Sequence, residues 1–192
     1  KSCGEISGMY VSQVAQEVDW EGLSFENGEV KHPQAMVDVI HKYHEAGLGP
    51  AGFKRKFGGL GVPNIVKAMI AELMYRSDSS ITIAVGSMGL ASILERCASE
   101  EMQNEWIPKI IANNYCVTMG LSEPDYGSDL PNVTTKAIKK GEEWFITGTK
   151  RYQTVACGIN GEPGLTLTLA RNGTQESGAR GLSFFIVENN SS

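Results

Sequence analysis

Residues 119–129 read MGLSEPDYGSD, and this stretch lies just after the point where the periodicity of the sequence changes. Before Asn113, apolar residues recur every three or four positions, as on one face of a helix; after it, they alternate with polar residues, as in strands. The stretch turns at Pro124 and ends in a Gly-Ser-Asp corner, where small residues let a ligand approach the backbone. Ser128 adds a hydroxyl beside exposed N–H groups, which makes the corner a candidate phosphate cradle. A plain turn is the alternative interpretation.

The first half of the chain is predicted to be helical. Four residues spaced by four form the apolar stripe of the first helix: Ile6, Tyr10, Val14 and Val18. Pro33 and Pro63 each open a further helix, and Ser99 is an N-cap candidate for the last one. Between them, residues 81–94 lack charge but are shorter than the ~20 residues of a membrane span, which predicts a buried helix.

The second half is predicted to form strands. Leu165, Leu167 and Leu169 alternate with threonines, which predicts a half-buried antiparallel strand. Residues 139–142 form a turn between two short strand patterns and therefore predict a hairpin, and residues 181–187 predict the last strand. Helices followed by strands favour an α+β class. We expect an all-α helical amino-terminal domain, residues 1–114, followed by an incomplete antiparallel β-barrel, residues 115–192.

Composition excludes several classes of protein. The 192 residues include 17 Lys and Arg against 22 Asp and Glu, a net charge of −5, and 41% are hydrophobic. The hydrophobic fraction is too high for a disordered chain, and the net negative charge argues against nucleic-acid binding. The four cysteines lie far apart without zinc-type spacing, so we expect free thiols and no metal site. With no signal peptide visible, the expected location is the cytoplasm, or the mitochondrial matrix in a eukaryote.

Two motifs in order resemble the signature of the acyl-CoA dehydrogenase family. Residues 121–129 (LSEPDYGSD) match its Ser/Thr-Glu-Pro-x-x-Gly-Ser-Asp loop, and residues 144–150 (WFITGTK) match the hairpin that follows the loop. Three further matches keep the same order: residues 57–63 (FGGLGVP), 99–109 and 180–188. Five ordered matches across most of the chain are far more specific than any one of them.

The resemblance implies a bound FAD and a role for each matching residue. The Leu121 N–H and the Ser122 hydroxyl would contact the pyrimidine end of the flavin, and Ser128 the pyrophosphate. Tyr152 would lie against the isoalloxazine ring, and Thr154 would bond flavin N5. Fixed donors of this kind stabilise negative charge that develops on a reduced flavin.

Other interpretations of these residues remain open at this point. Ser122 could be a plain strand-end hydroxyl, Tyr152 an aromatic of the barrel core, and Thr154 a strand residue. Two positions also depart from the family pattern. Tyr152 stands where Trp or Phe is more usual, although Tyr keeps the stacking surface. Gln153 stands where the family commonly has Ile or Val, and the pattern gives no reason for this change.

The resemblance also places an acyl pocket along the charge-free helix. Five residues would line it: Ile81, Thr82, Val85, Gly86 and Gly89. Their spacing puts them on one helical face, as an apolar pocket wall requires. An ordinary core helix shows the same pattern, although the glycines favour room for a ligand.

The implied reaction is FAD-dependent α,β-dehydrogenation of acyl-CoA thioesters, with electrons leaving to an electron-transfer flavoprotein or a similar acceptor. In the family, the base is a Glu of the carboxy-terminal helical domain, so we expect it beyond Ser192. None of Glu123, Glu142 and Glu188 matches that base. The chain is therefore expected to be an inactive fragment of an enzyme that forms homo-oligomers. The alternatives are an acyl-CoA oxidase and a non-catalytic relative repurposed for flavin binding.

Overall fold

The computed structural model describes residues 1–160 and 162–189 and confirms the α+β class: helices come first and a curled, open sheet follows. The helices are α1 (Ser2–Ile6), α2 (Ser12–Glu21), α3 (Gln34–Glu45), α4 (Asn64–Ser77), α5 (Ser79–Gly86), α6 (Leu94–Cys97) and α7 (Glu100–Ala112). The strands are β1 (Ser24–Glu26), β2 (Glu29–Lys31), β3 (Cys116–Gly120), β4 (Lys136–Lys140), β5 (Glu143–Thr147), β6 (Gly164–Arg171) and β7 (Leu182–Asn189). Within these residues, every helix is too short or too polar to cross a bilayer.

A π-helical turn displaces one position of the predicted stripe of the first helix, whereas Val14 and Val18 pack in the core as predicted. The turn, Ser7–Val11, lies between α1 and α2. Because π hydrogen bonds join residues five apart, the turn accommodates one extra residue. Val11 is fully buried, whereas Tyr10 is 39% exposed, so the predicted inward position of Tyr10 is wrong.

Residues 79–97 are helical but not one regular helix. Asp78 caps α5 by accepting a hydrogen bond from the Ile81 N–H at 2.7 Å, and a 3₁₀ segment, Ser87–Ile93, joins α5 to α6. Ser99 caps α7 as predicted, with the Met102 N–H 3.3 Å from its hydroxyl. The β1–β2 hairpin was not predicted, because its strands have three residues each and all six are exposed, so they show no alternation.

The sheet is mixed rather than antiparallel, and β6 is its centre. One edge of β6 pairs antiparallel with β7, and the other pairs parallel with β3 and, at Arg171, with Lys136 of β4. β4 and β5 form the predicted hairpin. The chain between β3 and β6 spans the hairpin and a long loop, and this length allows the two strands to pair in parallel.

All eight residues of β6 are buried, so the prediction of a half-buried strand is wrong. Leu165 and Leu167 pack in one core with Ile107 of α7 and with Phe53. The residues before β6 also pack against the strand. The Asn189 side chain bonds both the Ala156 carbonyl and the Thr166 hydroxyl, which ties these residues to the sheet. Threonines on β6 therefore do not mark a solvent-facing side.

Gly164 provides a test of this close packing. A Cβ built there would lie 2.0 Å from the Ala156 carbonyl oxygen, a backbone atom that cannot turn away. We expect Gly164→Ala to lower the free energy of unfolding by about 2 to 3 kcal/mol, measured by urea denaturation. The control is Gly4→Ala in α1, where a Cβ meets nothing within 4 Å. Equal effects of the two substitutions would contradict the packing described for β6.

Candidate functional site

The carboxylate of Glu123 is buried directly after β3 and accepts four hydrogen bonds. The Thr134 N–H and hydroxyl both donate to Oε2 at 2.7 Å. The Thr135 N–H donates to Oε1 at 2.9 Å, and the Lys150 ammonium donates to the same oxygen, also at 2.9 Å. We call these four residues the Glu123 cluster.

The cluster keeps Glu123 ionised. Burial alone would raise the pKa of this carboxyl, because it penalises the charged form. The hydrogen bonds from Thr135, Thr134 and Lys150 outweigh burial, and the net pKa lies well below its ordinary value. Glu123 is therefore a charged structural anchor.

The cluster also joins two segments that carry predicted flavin contacts. Besides Glu123, the Lys150 ammonium bonds the Leu121 carbonyl at 3.0 Å. The Arg151 N–H bonds the Ser122 carbonyl at 2.9 Å. The loop that begins with Leu121 and Ser122 is thus fastened to the start of the segment that leads to Tyr152 and Thr154.

The predicted phosphate corner lies at the open end of the loop. The Glu123 N–H bonds the Tyr126 carbonyl at 2.7 Å and closes the loop before the corner. Ser128 is exposed, and a Cβ built on Gly127 would meet nothing within 4 Å. The backbone of the corner is therefore accessible to a ligand.

Residues 152–155 adopt an unusual backbone conformation. Tyr152 and Val155 have φ of 59° and 53°, the left-handed region that non-glycine residues rarely adopt and that is concentrated at binding sites. Tyr152 is 85% exposed, which contradicts its interpretation as a core aromatic. Thr154 lies in a turn, so its interpretation as a strand residue is also wrong.

Gln153, the second of the two departures from the family pattern, lies between Tyr152 and Thr154 and faces inward. Its Nε2 donates to the Arg151 carbonyl, within the same turn. Its Oε1 is buried and has no hydrogen-bond partner among the described residues. A buried acceptor without a donor is costly, so this atom marks the place where a polar ligand or a water would fit.

A cavity of 180 Å³ places Thr154 beside α5. Thr82 and Gly86 of α5 line it together with Thr154, so the structure brings predicted flavin and acyl residues together. We call it the Thr154 cavity. Its other described lining residues carry hydroxyls and apolar groups: Tyr75, Ile83, Ser87, Leu90, Val117, Thr118 and Val155.

A second cavity, of 290 Å³, lies among the helices and shares Tyr75, Thr82 and Gly86 with the first. We call it the helical cavity. Val85 and Gly89 also line it. Four of the five predicted acyl residues therefore border a cavity, whereas Ile81 is fully buried in the helical core.

The remaining carboxylates considered from the sequence have structural partners. Glu188 of β7 bonds the Tyr115 hydroxyl and the Lys109 ammonium, which joins the sheet to α7. Glu142 is 96% exposed in the hairpin turn, 3.5 Å from the Lys139 ammonium. Neither lines the Thr154 cavity.

Sequence reasoning missed Glu162. Its Oε1 lies 3.5 Å from His41 Nε2 and 3.8 Å from His44 Nδ1, which connects α3 to the residues before β6. The spacing of the two histidines was visible in the sequence, but a contact over about 120 residues carries no local signal.

Comparisons with known proteins identify the family of the chain. Two family models match: the N-terminal domain of acyl-CoA dehydrogenase over residues 10–114, and its middle domain over residues 118–192. The 3-methylmercaptopropionyl-CoA dehydrogenase of Ruegeria pomeroyi is 28% identical over 96% of this chain and 32% of its own length. The broad-specificity linear acyl-CoA dehydrogenase FadE5 of Mycobacterium tuberculosis is 30% identical over 81% of this chain and 26% of its own.

The fold has close counterparts among solved structures. Butyryl-CoA dehydrogenase from Megasphaera elsdenii superposes with a TM-score of 0.81 at 18% identity, covering 100% of this chain and 47% of that one. The chain spans about a third of the length of one of the curated relatives above and about a quarter of the other. The resemblance found in the motifs is confirmed, and the chain belongs to the acyl-CoA dehydrogenase family.

Proposed function

We propose that this chain supplies the flavin-facing and acyl-facing walls of an FAD-dependent acyl-CoA dehydrogenase, which forms a double bond between Cα and Cβ of an acyl-CoA thioester. One observation carries the proposal. The Glu123 cluster fastens residues 121–123 to the segment that ends at Thr154, and Thr154 shares a cavity with Thr82 and Gly86 of α5.

The residues present fit a flavin. The exposed ring of Tyr152 offers an uncovered aromatic face, the orphaned Gln153 Oε1 offers an acceptor, and the corner around Ser128 offers open backbone. In the proposed site, Leu121 and Ser122 hold the pyrimidine end and Ser128 holds the pyrophosphate. When bound, the flavin supplies the acceptor for the hydride that leaves Cβ.

The chain's own residues orient the acyl group in this proposal. Thr82 and Gly86 of α5 line both cavities, and Val85 and Gly89 line the helical cavity. An apolar enclosure excludes water from the reacting carbons. The described lining of the Thr154 cavity has no carboxylate, so we propose that the base for the α-proton comes from another part of the protein, as in the family.

We further propose an electron-transfer flavoprotein, or a similar protein, as the acceptor. An acyl-CoA oxidase would bind the same flavin and thioester but pass the electrons to oxygen. A repurposed relative would keep the flavin and oxidise no thioester. The following experiment separates these three activities.

The test uses the purified gene product that contains this chain. We expect flavin absorption, and bleaching of that absorption when a panel of acyl-CoA thioesters is added without oxygen. Re-oxidation by air with rapid formation of peroxide would indicate an oxidase. A colourless protein, or a yellow one that no thioester bleaches, would contradict the dehydrogenase proposal.

Thr154→Ala tests the residue that meets both ligands. If Thr154 stabilises charge on the flavin, the loss of one fixed donor should lower the rate of flavin reduction by about 100-fold, while flavin content falls far less. Stopped-flow absorbance measures the rate, and the flavin-to-protein ratio measures the content. Thr149→Ala, in the exposed segment before Lys150, is the control. Equal losses of rate and content would show that Thr154 is structural.

Glu123→Gln tests the Glu123 cluster. The amide nitrogen of Gln would face N–H groups that donate to the carboxylate in the wild type, and Lys150 would lose its counter-charge. The free energy of unfolding at pH 7 should therefore fall by about 3 kcal/mol. Flavin retention should fall with it. The control, Glu142→Gln, removes an exposed ion pair and should have almost no effect.

The same variant tests a predicted pH dependence of stability. The pKa of Glu123 is lower in the folded than in the unfolded protein. Its contribution to stability is therefore complete above the unfolded pKa of about 4.3 and is lost as the pH falls from there toward the folded pKa. The difference in unfolding free energy between the wild type and Glu123→Gln, measured by urea denaturation, should shrink below about pH 4. A difference that is constant with pH would contradict the proposed anchor.

A further inference from the structure

The helical cavity has one charged group on an otherwise mostly apolar wall. Its lining includes Tyr43, Phe53, Ile70, Met74 and Val85, and also Lys67 of α4. The acyl chain of a simple fatty acid needs no cation in such a place. The position and surroundings of Lys67 therefore indicate what this cavity accepts.

The Lys67 side chain lies across Gly52, at the cavity wall. A Cβ built on Gly52 would lie 3.0 Å from Lys67 Cε and 3.2 Å from its Nζ, so a side chain at position 52 would require the end of Lys67 to shift by a few tenths of an ångström. Lys67 is half-buried. Gly52 thus provides the space in which the side chain lies.

Lys67 has no protein counter-charge in the part of the chain that the structure describes: no ion pair or side-chain hydrogen bond involves it there. The contrast is Lys54, on the same stretch of chain as Gly52, which pairs with Glu95 at 3.5 Å. An ammonium beside apolar walls loses part of its hydration, and an anionic ligand restores the lost interaction through a charge-assisted hydrogen bond.

The two cavities give a direction to the bound acyl group. Tyr75, Thr82 and Gly86 line both, so both cavities border the same part of α5, and Thr154 lies in one while Lys67 lies in the other. A thioester whose reacting carbons lie beside Thr154 would have its tail directed toward Lys67. At 290 Å³ the helical cavity is at the small end of ligand pockets, which suits a short acyl tail better than a nucleotide.

We propose that Lys67 binds a carboxylate at the far end of the acyl group, and that the preferred substrates are therefore short ω-carboxyacyl-CoA thioesters. This inference rests on the proposed dehydrogenase function and specifies its substrate class. The phosphates of CoA are the other anions that could reach an ammonium, and the experiment distinguishes them.

The test compares charged and uncharged thioesters of equal length on the FAD-loaded gene product: glutaryl-CoA against pentanoyl-CoA, and adipoyl-CoA against hexanoyl-CoA. We expect Lys67→Met to lower kcat/KM for the charged thioesters by about 10- to 100-fold, the range of a hydrogen bond to a charged group, and to leave the uncharged ones almost unchanged. Lys67→Arg should retain the preference. Lys136→Met, which removes an exposed charge on β4, should change neither class.

Calorimetric binding of each thioester, and of CoA alone, supplies a readout that does not need turnover. Weaker binding of glutaryl-CoA but not of CoA by Lys67→Met supports the proposal. An equal loss for CoA would assign Lys67 to a CoA phosphate and overturn it, as would unchanged binding of every ligand. Oxidation of uncharged thioesters without any preference for charged ones would overturn this inference alone, whereas a flavin that no thioester bleaches would overturn the proposed function.

Discussion

A carboxylate buried beside a sheet must be fully hydrogen-bonded, and the arrangement around Glu123 follows from that requirement. Two consecutive backbone N–H groups, a hydroxyl and an ammonium converge on it, from Thr134, Thr135 and Lys150. These donors come from either side of the β4–β5 hairpin. Their common acceptor therefore holds the loop after β3 and the segment after β5 in one geometry.

Lys150 extends this constraint to the candidate site. Its ammonium donates to the Leu121 carbonyl, and the Arg151 N–H donates to the Ser122 carbonyl, so a side chain and a backbone group both fasten the loop. The left-handed conformations of Tyr152 and Val155 follow directly along the chain, and such strained residues persist only where their surroundings hold them. The anchored start of this segment explains how an exposed Tyr152 can be presented without core packing of its own.

The helical half contributes a wall rather than a catalytic group. α5 borders two cavities, and Gly86, its last residue, lines both. The same helix contributes Ile81 and Val85 to the helical core, so the cavity wall is also a core element. A change in α5 that alters ligand fit is therefore expected to alter stability as well.

Local patterns in the sequence were sufficient for the fold class, the β4–β5 hairpin, the Ser99 cap and the family. They were insufficient where one inserted residue or a distant contact decides the outcome. The π turn at Ser7–Val11 moves burial from Tyr10 to Val11, and the packing around β6 buries threonines that alternate like surface residues. The role of Glu123 depends on donors eleven to twenty-seven residues away, and spacing alone does not show such convergence.

The pKa of Glu123 tests the central constraint most directly. Carboxyl-carbon NMR of the labelled protein, followed as the pH is lowered, reports the protonation of this side chain through its own resonance. If four donors hold the carboxylate, its resonance should show no titration near the ordinary value of about 4.3 and should begin to shift only well below it, together with unfolding. A Glu123 resonance that titrates near the ordinary value of about 4.3 would contradict the anchor and the site geometry that depends on it.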